Sequence, residues 1–388
     1  VLVKDGPSVR IYEVKAKSFD PVDDEFYDKR LLKKNVYKLK SDWKSYLYDI
    51  AFQTMVCRGA YPSLSIYPSL ILADKTKVSS VEGLNQRFLI GEDNGRSKVT
   101  VKPGTDLKSV GVKILIAVDM LEHVDRIIAG EDLGEKSRAQ LNMPSFENEA
   151  KGWAKAYLSG EKLAPSLSKN CRNCEFRSHG EKKSGFDECW SPVIKKIPEK
   201  GELIIDLWNF RNTDDLIEEQ RFFIKDLSQD DLKIDEGCGN GMSIGQRQWL
   251  QSQKATAKDK NPEIDYEYLK NTMGEWKYPL HCIDFETTMA AIPFNAGRRP
   301  YEQIAFQFSH HIMTADGKVA HVGEYIHNKK GGFPNFDFLR ALKKELDQDE
   351  GTILRYSNHE NTVLCQIYIQ LRESTETDKV ELMDFIRT

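Results

Sequence analysis

The feature that most restricts the fold begins at Leu280. The run Leu280-His281-Cys282-Ile283-Asp284-Phe285-Glu286 is short, largely apolar and ends in alternating charge, the signature of a buried strand. Ile304, Phe306 and Phe308 then alternate, Val319 to Ile326 reads as a third strand, and Phe336 to Leu346 as a helix. Strand Thr352 to Tyr356 and a helix from about Asn358 to Leu371 complete the order. Strands interleaved with helices call for an α/β architecture with a layered core. A chain of 388 residues has room for more than one such core. Pro192 to Gly201 and the polar stretch Lys254 to Pro262 read as joints. Three segments are therefore expected: 1–195 with a cysteine loop, a helical connector over 196–275, and 276–388.

The N-terminal segment begins with a strand–turn–strand signal, Leu2-Val3 and Ile11 to Lys15 around Asp5-Gly6. Asp42 is a plausible N-cap for a helix whose stripe is Trp43, Tyr46, Leu47 and Ile50. Ile66 to Ala73 reads as a strand interrupted by Pro68. Lys113 to Ile128 reads as a helix or a strand–helix pair closed by Gly130, and Phe146 to Leu158 as a helix stopped by Gly160. His123 is expected to be a satisfied core histidine. The basic run Lys29 to Lys44, with Tyr37 and Trp43 among its cations, reads equally as a nucleic-acid groove or a solvated connector.

Charge and composition narrow the function classes. Lys+Arg 56 against Asp+Glu 60 gives a net charge of −4, so any binding of nucleic acid must come from local patches. The longest apolar stretch, Ile114 to Val118, is far short of the ~20 residues of a membrane span. No phosphate-binding Gly-x-x-x-x-Gly-Lys-Ser/Thr loop is present, which argues against an ATP-driven helicase. Seven cysteines, an odd number, point to a reducing compartment and a cytoplasmic location. Val1 already reads as strand, and the chain breaks off within the apolar run near Phe385. It is expected to be a fragment cut at both ends.

Three groups of residues carry chemistry. Glu13 and Lys15, two apart on a strand, leave the same face. A metal-dependent phosphodiesterase uses a carboxylate to hold Mg²⁺ or Mn²⁺ and a cation beside the attacking water or scissile phosphate. Cys171-x-x-Cys174, followed by Cys189, offers paired thiolates for a metal, with His179 as a possible fourth ligand to zinc. The surrounding loop, Ser166 to Trp190, has few apolar groups, so metal–thiolate bonds are expected to supply its order. Asp284 and Glu286 share one strand face, where two carboxylates repel unless cations lie between them. Arg298 and Arg299 read as either phosphate ligands or a solvated loop.

The order of Glu13-x-Lys15, Gln53 on a helix and the cysteine loop resembles the RecB-like PD-(D/E)XK nucleases that carry an iron–sulfur staple. The resemblance implies that Gln53 belongs with Glu13 and Lys15, that Cys57 stands at a tyrosine position, and that the motif aspartate falls just before Val1. It favours a [4Fe–4S] cluster on Cys171, Cys174 and Cys189 over zinc, its fourth cysteine lying elsewhere; Cys57 and Cys238 are fallback ligands. Asp-Phe-Glu-Thr resembles the first motif of DnaQ-like, ribonuclease H-like exonucleases, and Glu360 stands where their second motif has Asp. The third motif is expected beyond Thr388. The whole order resembles the bacterial family called domain of unknown function 2779. These resemblances imply a restriction-endonuclease-like domain, a helical connector and a C-terminally truncated ribonuclease H-like domain. The implied activity is Mg- or Mn-dependent DNA hydrolysis in repair or defence, with nucleic acid and no membrane as partner. The alternative is a non-catalytic nucleic-acid-binding scaffold that retains both folds.

Overall fold

The computed structural model describes residues 1–178, 183–198, 200–235 and 241–387. The chain forms two compact units, Val1–Lys155 together with Lys277–Thr388, and Ala156–Trp276.

In the first unit, β1 (Leu2–Asp5) and β2 (Ser8–Phe19) form an antiparallel hairpin whose turn uses Gly6 at φ +54°. A single turn, α1 (Lys29–Leu32), is capped by the Asp28 carboxylate, which accepts from the N–H groups of Arg30 and Leu31. Helix α2 (Ser41–Ala60) then crosses over the sheet to β3 (Ser65–Asp74), which runs parallel to β2. A hairpin of β4 (Phe88–Asp93) and β5 (Arg96–Val101) turns on Asn94 and Gly95, both at positive φ. β6 (Leu115–Asp119) pairs antiparallel with β3, giving the order β1-β2-β3-β6, and leads into α3 (Leu121–Ala129) and α4 (Phe146–Ser159). Trp43, Leu47 and Ile50 of α2 pack with Leu70 and Leu72 of β3 and with Met120, Val124 and Ile127 to make the core.

Two local expectations give way here. The N-cap of α2 is Lys40, not Asp42; Asp42 lies in the first turn, where its carboxylate accepts from Lys17 at 3.0 Å. Pro68 does not interrupt β3. It pairs in register with Ile11 of β2 and lies one place past the last β3–β6 pair, Ser69–Asp119, where its carbonyl accepts from Met120 N–H and only a terminal hydrogen bond is forgone.

The second unit contains α5 (Gly185–Trp190), α6 (Thr213–Glu218), α7 (Ile244–Ala257) and α8 (Tyr266–Gly274), joined by short 3₁₀ turns. Phe186 and Trp190 of the cysteine segment are fully buried with Leu203, Ile204, Leu216 and Ile224. That shared core puts the cysteine segment with the helical connector, so the division falls at Lys155 rather than at residue 195. It also corrects the expectation that this loop lacks the apolar groups to order itself.

The rest of the first unit is an antiparallel meander of β7 (Leu280–Met289), β8 (Gln303–Met313) and β9 (Val319–Ile326). After α9 (Asn335–Leu346), the two-residue β10 (Ile353–Leu354) pairs parallel with β7, giving β10-β7-β8-β9; α10 (His359–Glu373) and α11 (Lys379–Arg387) follow. Phe285, Phe308, Phe338, Leu339, Val363 and Ile367 form its core. The segments around Ser79 and Gly297 exchange backbone hydrogen bonds and join this sheet to the N-terminal one. Among the described residues no helix is long and apolar enough to cross a membrane.

Asn335, fully buried at the start of α9, fastens this layer. Its Oδ1 accepts from Ala305 N–H at 2.8 Å, and its Nδ2 donates to Gln303 O at 2.9 Å and Gln370 Oε1 at 2.5 Å. Asn335→Ala should cost about 1–3 kcal/mol for each buried group left unpaired. The loss should appear as a lower urea midpoint with an unchanged m-value.

Candidate functional site

The strongest cluster joins β2 to α2. Glu13 and Lys15 project from one face of β2, and Asp49 and Gln53, one helical turn apart, from one face of α2. Lys15 Nζ lies 2.5 Å from Asp49 Oδ2 and 2.8 Å from Glu13 Oε1. Gln53 Nε2 donates to Glu13 Oε2 at 3.1 Å and Asp49 Oδ1 at 3.0 Å. Four side chains from two elements thus share one hydrogen-bonded network. Desolvation opposes the charge on Lys15, but the hydrogen bonds it donates to Asp49 and Glu13 outweigh it and hold the ammonium above the ordinary lysine value. The Lys15 hydrogen bond holds the Asp49 carboxyl below the ordinary aspartate value against desolvation, with Gln53 helping. Glu13, Lys15 and Gln53 were expected together. Asp49 was missed, although its i,i+4 spacing from Gln53 was the available signal. Asp5 pairs with Ser8 at the turn end of the hairpin, remote in register from Glu13.

The same strand continues with Lys17, whose ammonium lies 4.2 Å from the centre of the Trp43 ring. Trp43 is a core residue, and Arg126 covers Tyr37 at 3.5 Å. Burial of Trp43 and the Arg126 guanidinium over one face of Tyr37 leave neither ring fully open for base stacking. His123 hydrogen-bonds the Tyr27 hydroxyl at 3.0 Å, and its burial pushes the imidazole below its ordinary value.

In the second sheet, Asp284 and Glu286 are exposed, opposite Ser309 and Gln307 on β8, with a bulge just after Glu286. Because β10 runs parallel to β7 beside His281 and Cys282, the chain leaves β10 toward the Asp284–Glu286 end before entering α10. Thr287 Oγ1 and His359 Nε2, 3.1 Å apart, fasten the start of α10 to that end of β7. Glu360, in the first turn of α10, has a buried Oε2 without a hydrogen-bond partner. Asp384 lies within α11, paired with Arg387. Arg298 stacks 3.7 Å from the Phe333 ring centre and pairs with Glu302, while Arg299 pairs with Glu373 and donates to Thr76 O. Both arginines are engaged within the protein.

At the opposite end of β7, two buried histidines join two partly exposed carboxylates in a chain that was not foreseen. His281 Nδ1 meets His310 Nε2 at 2.9 Å, His281 Nε2 meets Asp349 at 2.9 Å, and His310 Nδ1 meets Glu345 at 3.3 Å. The only sequence signal was a histidine placed inward on each of two apolar strands.

Cys171, Cys174 and Cys189 are free, half-buried thiols that all pack against the core of the second unit. Cys57 is free and half-buried on α2. His179 and Cys238 lie outside the described residues. Among the described residues no three His, Cys, Asp or Glu side chains stand together as a ready metal-binding group. The donor chemistry still differs between sites. Glu13 and Asp49 offer hard carboxylate oxygens, and Mg²⁺, which keeps several waters, needs only one or two of these. The cysteines offer soft thiolates suited to zinc or iron–sulfur, on one core but not drawn into a closed set.

The Asp49–Lys15 pair makes a pH prediction. A carboxyl held low stabilises the fold fully above its ordinary value of 3.8, and that stabilisation is lost as pH falls through the folded value. Asp49→Asn should therefore flatten the acid limb of the stability curve below about pH 4 in urea titrations. Identical acid limbs in both proteins would show that the pair contributes nothing.

Residues 281–388 match the family described as Domain of unknown function (DUF2779). No curated protein and no solved structure matches the chain. The C-terminal α/β region, from the second strand residue of β7 onward, is thus similar to that family.

Proposed function

We propose that the protein is a metal-dependent nuclease acting on DNA. Glu13, Lys15, Asp49 and Gln53 form its hydrolytic centre, and Asp284, Glu286 and Glu360 a second, exonuclease-type centre. The observation that carries the reading is the position of Lys15 between two carboxylates, with one glutamine amide bonded to both. A bound Mg²⁺ or Mn²⁺ would supply Lewis-acid polarisation of the phosphate and a more acidic water. Glu13 and Asp49 are the oxygen ligands on offer. Lys15, released from one carboxylate, orients the attacking water or neutralises charge growing on the phosphate. Gln53 fixes both carboxylates so that neither must reorganise. In support, residues 280–373 follow the order strand, strand, strand, helix, strand, helix expected of a ribonuclease H-like exonuclease. The parallel β2–β3 pair with its crossover helix agrees with a restriction-endonuclease-like reading of the first sheet. Cys171, Cys174 and Cys189 are read as ligands of a structural [4Fe–4S] cluster, with zinc as the alternative.

Two experiments test this. In an Asp284→Asn background that silences the second centre, Glu13→Gln and Lys15→Ala should each abolish the remaining Mn²⁺-dependent digestion of labelled single- and double-stranded DNA while circular dichroism stays unchanged. Wild-type cleavage by either variant, or DNA binding without cleavage by the wild type, would sink the hydrolytic reading and leave the scaffold. Separately, protein purified without oxygen should carry stoichiometric iron and a brown colour, and Cys174→Ser should release the metal. Purification without iron or zinc would remove the cluster.

A further inference from the structure

A groove of the second unit, about 910 Å³, lies between α7 and the residues Lys196, Ile197, Lys200 and Glu202. Six cationic side chains, Lys196, Lys200, Arg247, Lys254, Lys258 and Lys260, line it against the carboxylates of Glu202, Asp259 and Glu263. Lys254 is engaged by Asp259 at 2.5 Å and Glu263 at 3.5 Å. Among the described residues no carboxylate pairs with Lys196, Lys200, Arg247 or Lys258 (Glu199 lies outside them). This excess stands out in a chain of net charge −4.

The arrangement follows from helical periodicity. Arg247, Lys254 and Lys258, spaced seven and four residues apart, fall on one face of α7 and its C-cap. At 1.5 Å per residue that line of charge runs for about 16 Å, long enough to follow successive phosphates rather than to cradle one. Ile197, Phe223, Leu250 and Ala255 form the floor, along which lysine stems can lie with their ammonium groups in water. Lys225 covers the Phe223 ring at 5.0 Å, so this aromatic does not present a clear face for base stacking. Such a surface recognises backbone charge, not base identity.

We propose that this groove in the helical unit binds the phosphodiester backbone of a nucleic-acid strand. The proposal rests on the nucleic-acid reading above and extends it to a binding surface in the other unit. An acidic peptide is the rival occupant, and its failure to compete is part of the test.

The experiment uses the full chain in EDTA, which blocks cleavage, with a fluorescein-labelled mixed-sequence single strand read by anisotropy over a salt series. Lys196→Ala/Lys258→Ala should weaken binding several-fold at low salt. It should also flatten the slope of log affinity against log salt by about 1.4, at about 0.7 per lost phosphate contact. Lys196→Arg/Lys258→Arg should retain both affinity and slope, and all variants should melt with the wild type. DNA and RNA strands of the same sequence should be affected alike if backbone charge is what is read; loss with DNA alone narrows the ligand to DNA. Unchanged affinity and slope in the alanine pair, or polyglutamate bound as tightly as DNA, would overturn the groove. If the wild type binds in EDTA but fails to cleave with Mn²⁺, hydrolysis fails and the groove stands. If it cleaves while the alanine pair binds normally, the groove fails and hydrolysis stands.

Discussion

Two parallel strand pairings decide where the charged residues of the first unit meet. Parallel neighbours cannot be joined by a tight turn, so the chain must cross over one face of the sheet before it pairs. Between β2 and β3 that crossover is α2, which buries Trp43, Leu47, Ile50 and Thr54. Once that face is buried, the helix rotation is set. Asp49 and Gln53 then meet Glu13 and Lys15, residues 34 to 40 positions away in sequence. The same constraint acts between β7 and β10, where α9 is the intervening helix and α10 starts at the Asp284–Glu286 end. Each candidate site is thus a by-product of a crossover that the sheet requires.

The two sites handle carboxylate repulsion differently. In the first, Lys15 lies between Glu13 and Asp49, and all three side chains are partly shielded, with exposures of 17% for Lys15, 24% for Glu13 and 40% for Asp49. The network formally holds two negative charges against one positive, and its residual charge favours a further cation. In the second, Asp284 and Glu286 stand in water, which screens them without a protein cation. Glu360 is the asymmetric member, because its orphaned Oε2 forgoes a hydrogen bond that a cation or a water would restore.

The strongly patterned elements were legible in the sequence. β9 spans the expected Val319–Ile326, and β7, β8, α9 and α10 begin within a residue or so of where apolar spacing put them. The β4–β5 hairpin escaped because almost every residue in it is exposed, leaving no alternation to read, although Asn94-Gly95 is a strong turn signal. The cysteine segment was misread for a different reason. Phe186 and Trp190 look sparse in sequence, yet two stacked rings at 5.6 Å reach a core supplied by residues after 200. Glu13, Lys15 and Gln53 could be named from spacing and family resemblance, whereas Asp49 and the His281–His310 contact depend on tertiary approach that no local pattern encodes.

Charge illustrates the same distinction between composition and placement. A net of −4 on 388 residues says nothing about partners, because at physiological salt a charge is felt over only about 8 Å. A groove whose cations run for about 16 Å therefore sets its own local potential. In the first unit, carboxylates stand on strands β2 and β7 and on the crossover helix α2; in the second, α7 and its C-cap lay Arg247, Lys254 and Lys258 along one face, with Lys254 paired to Asp259. Carboxylates on a sheet and its packed crossover helix are held in a fixed geometry. Flexible lysines on a helix suit a polyanion held by charge alone, where register along the strand does not matter. The two units thus differ in the kind of element each uses to present its charge.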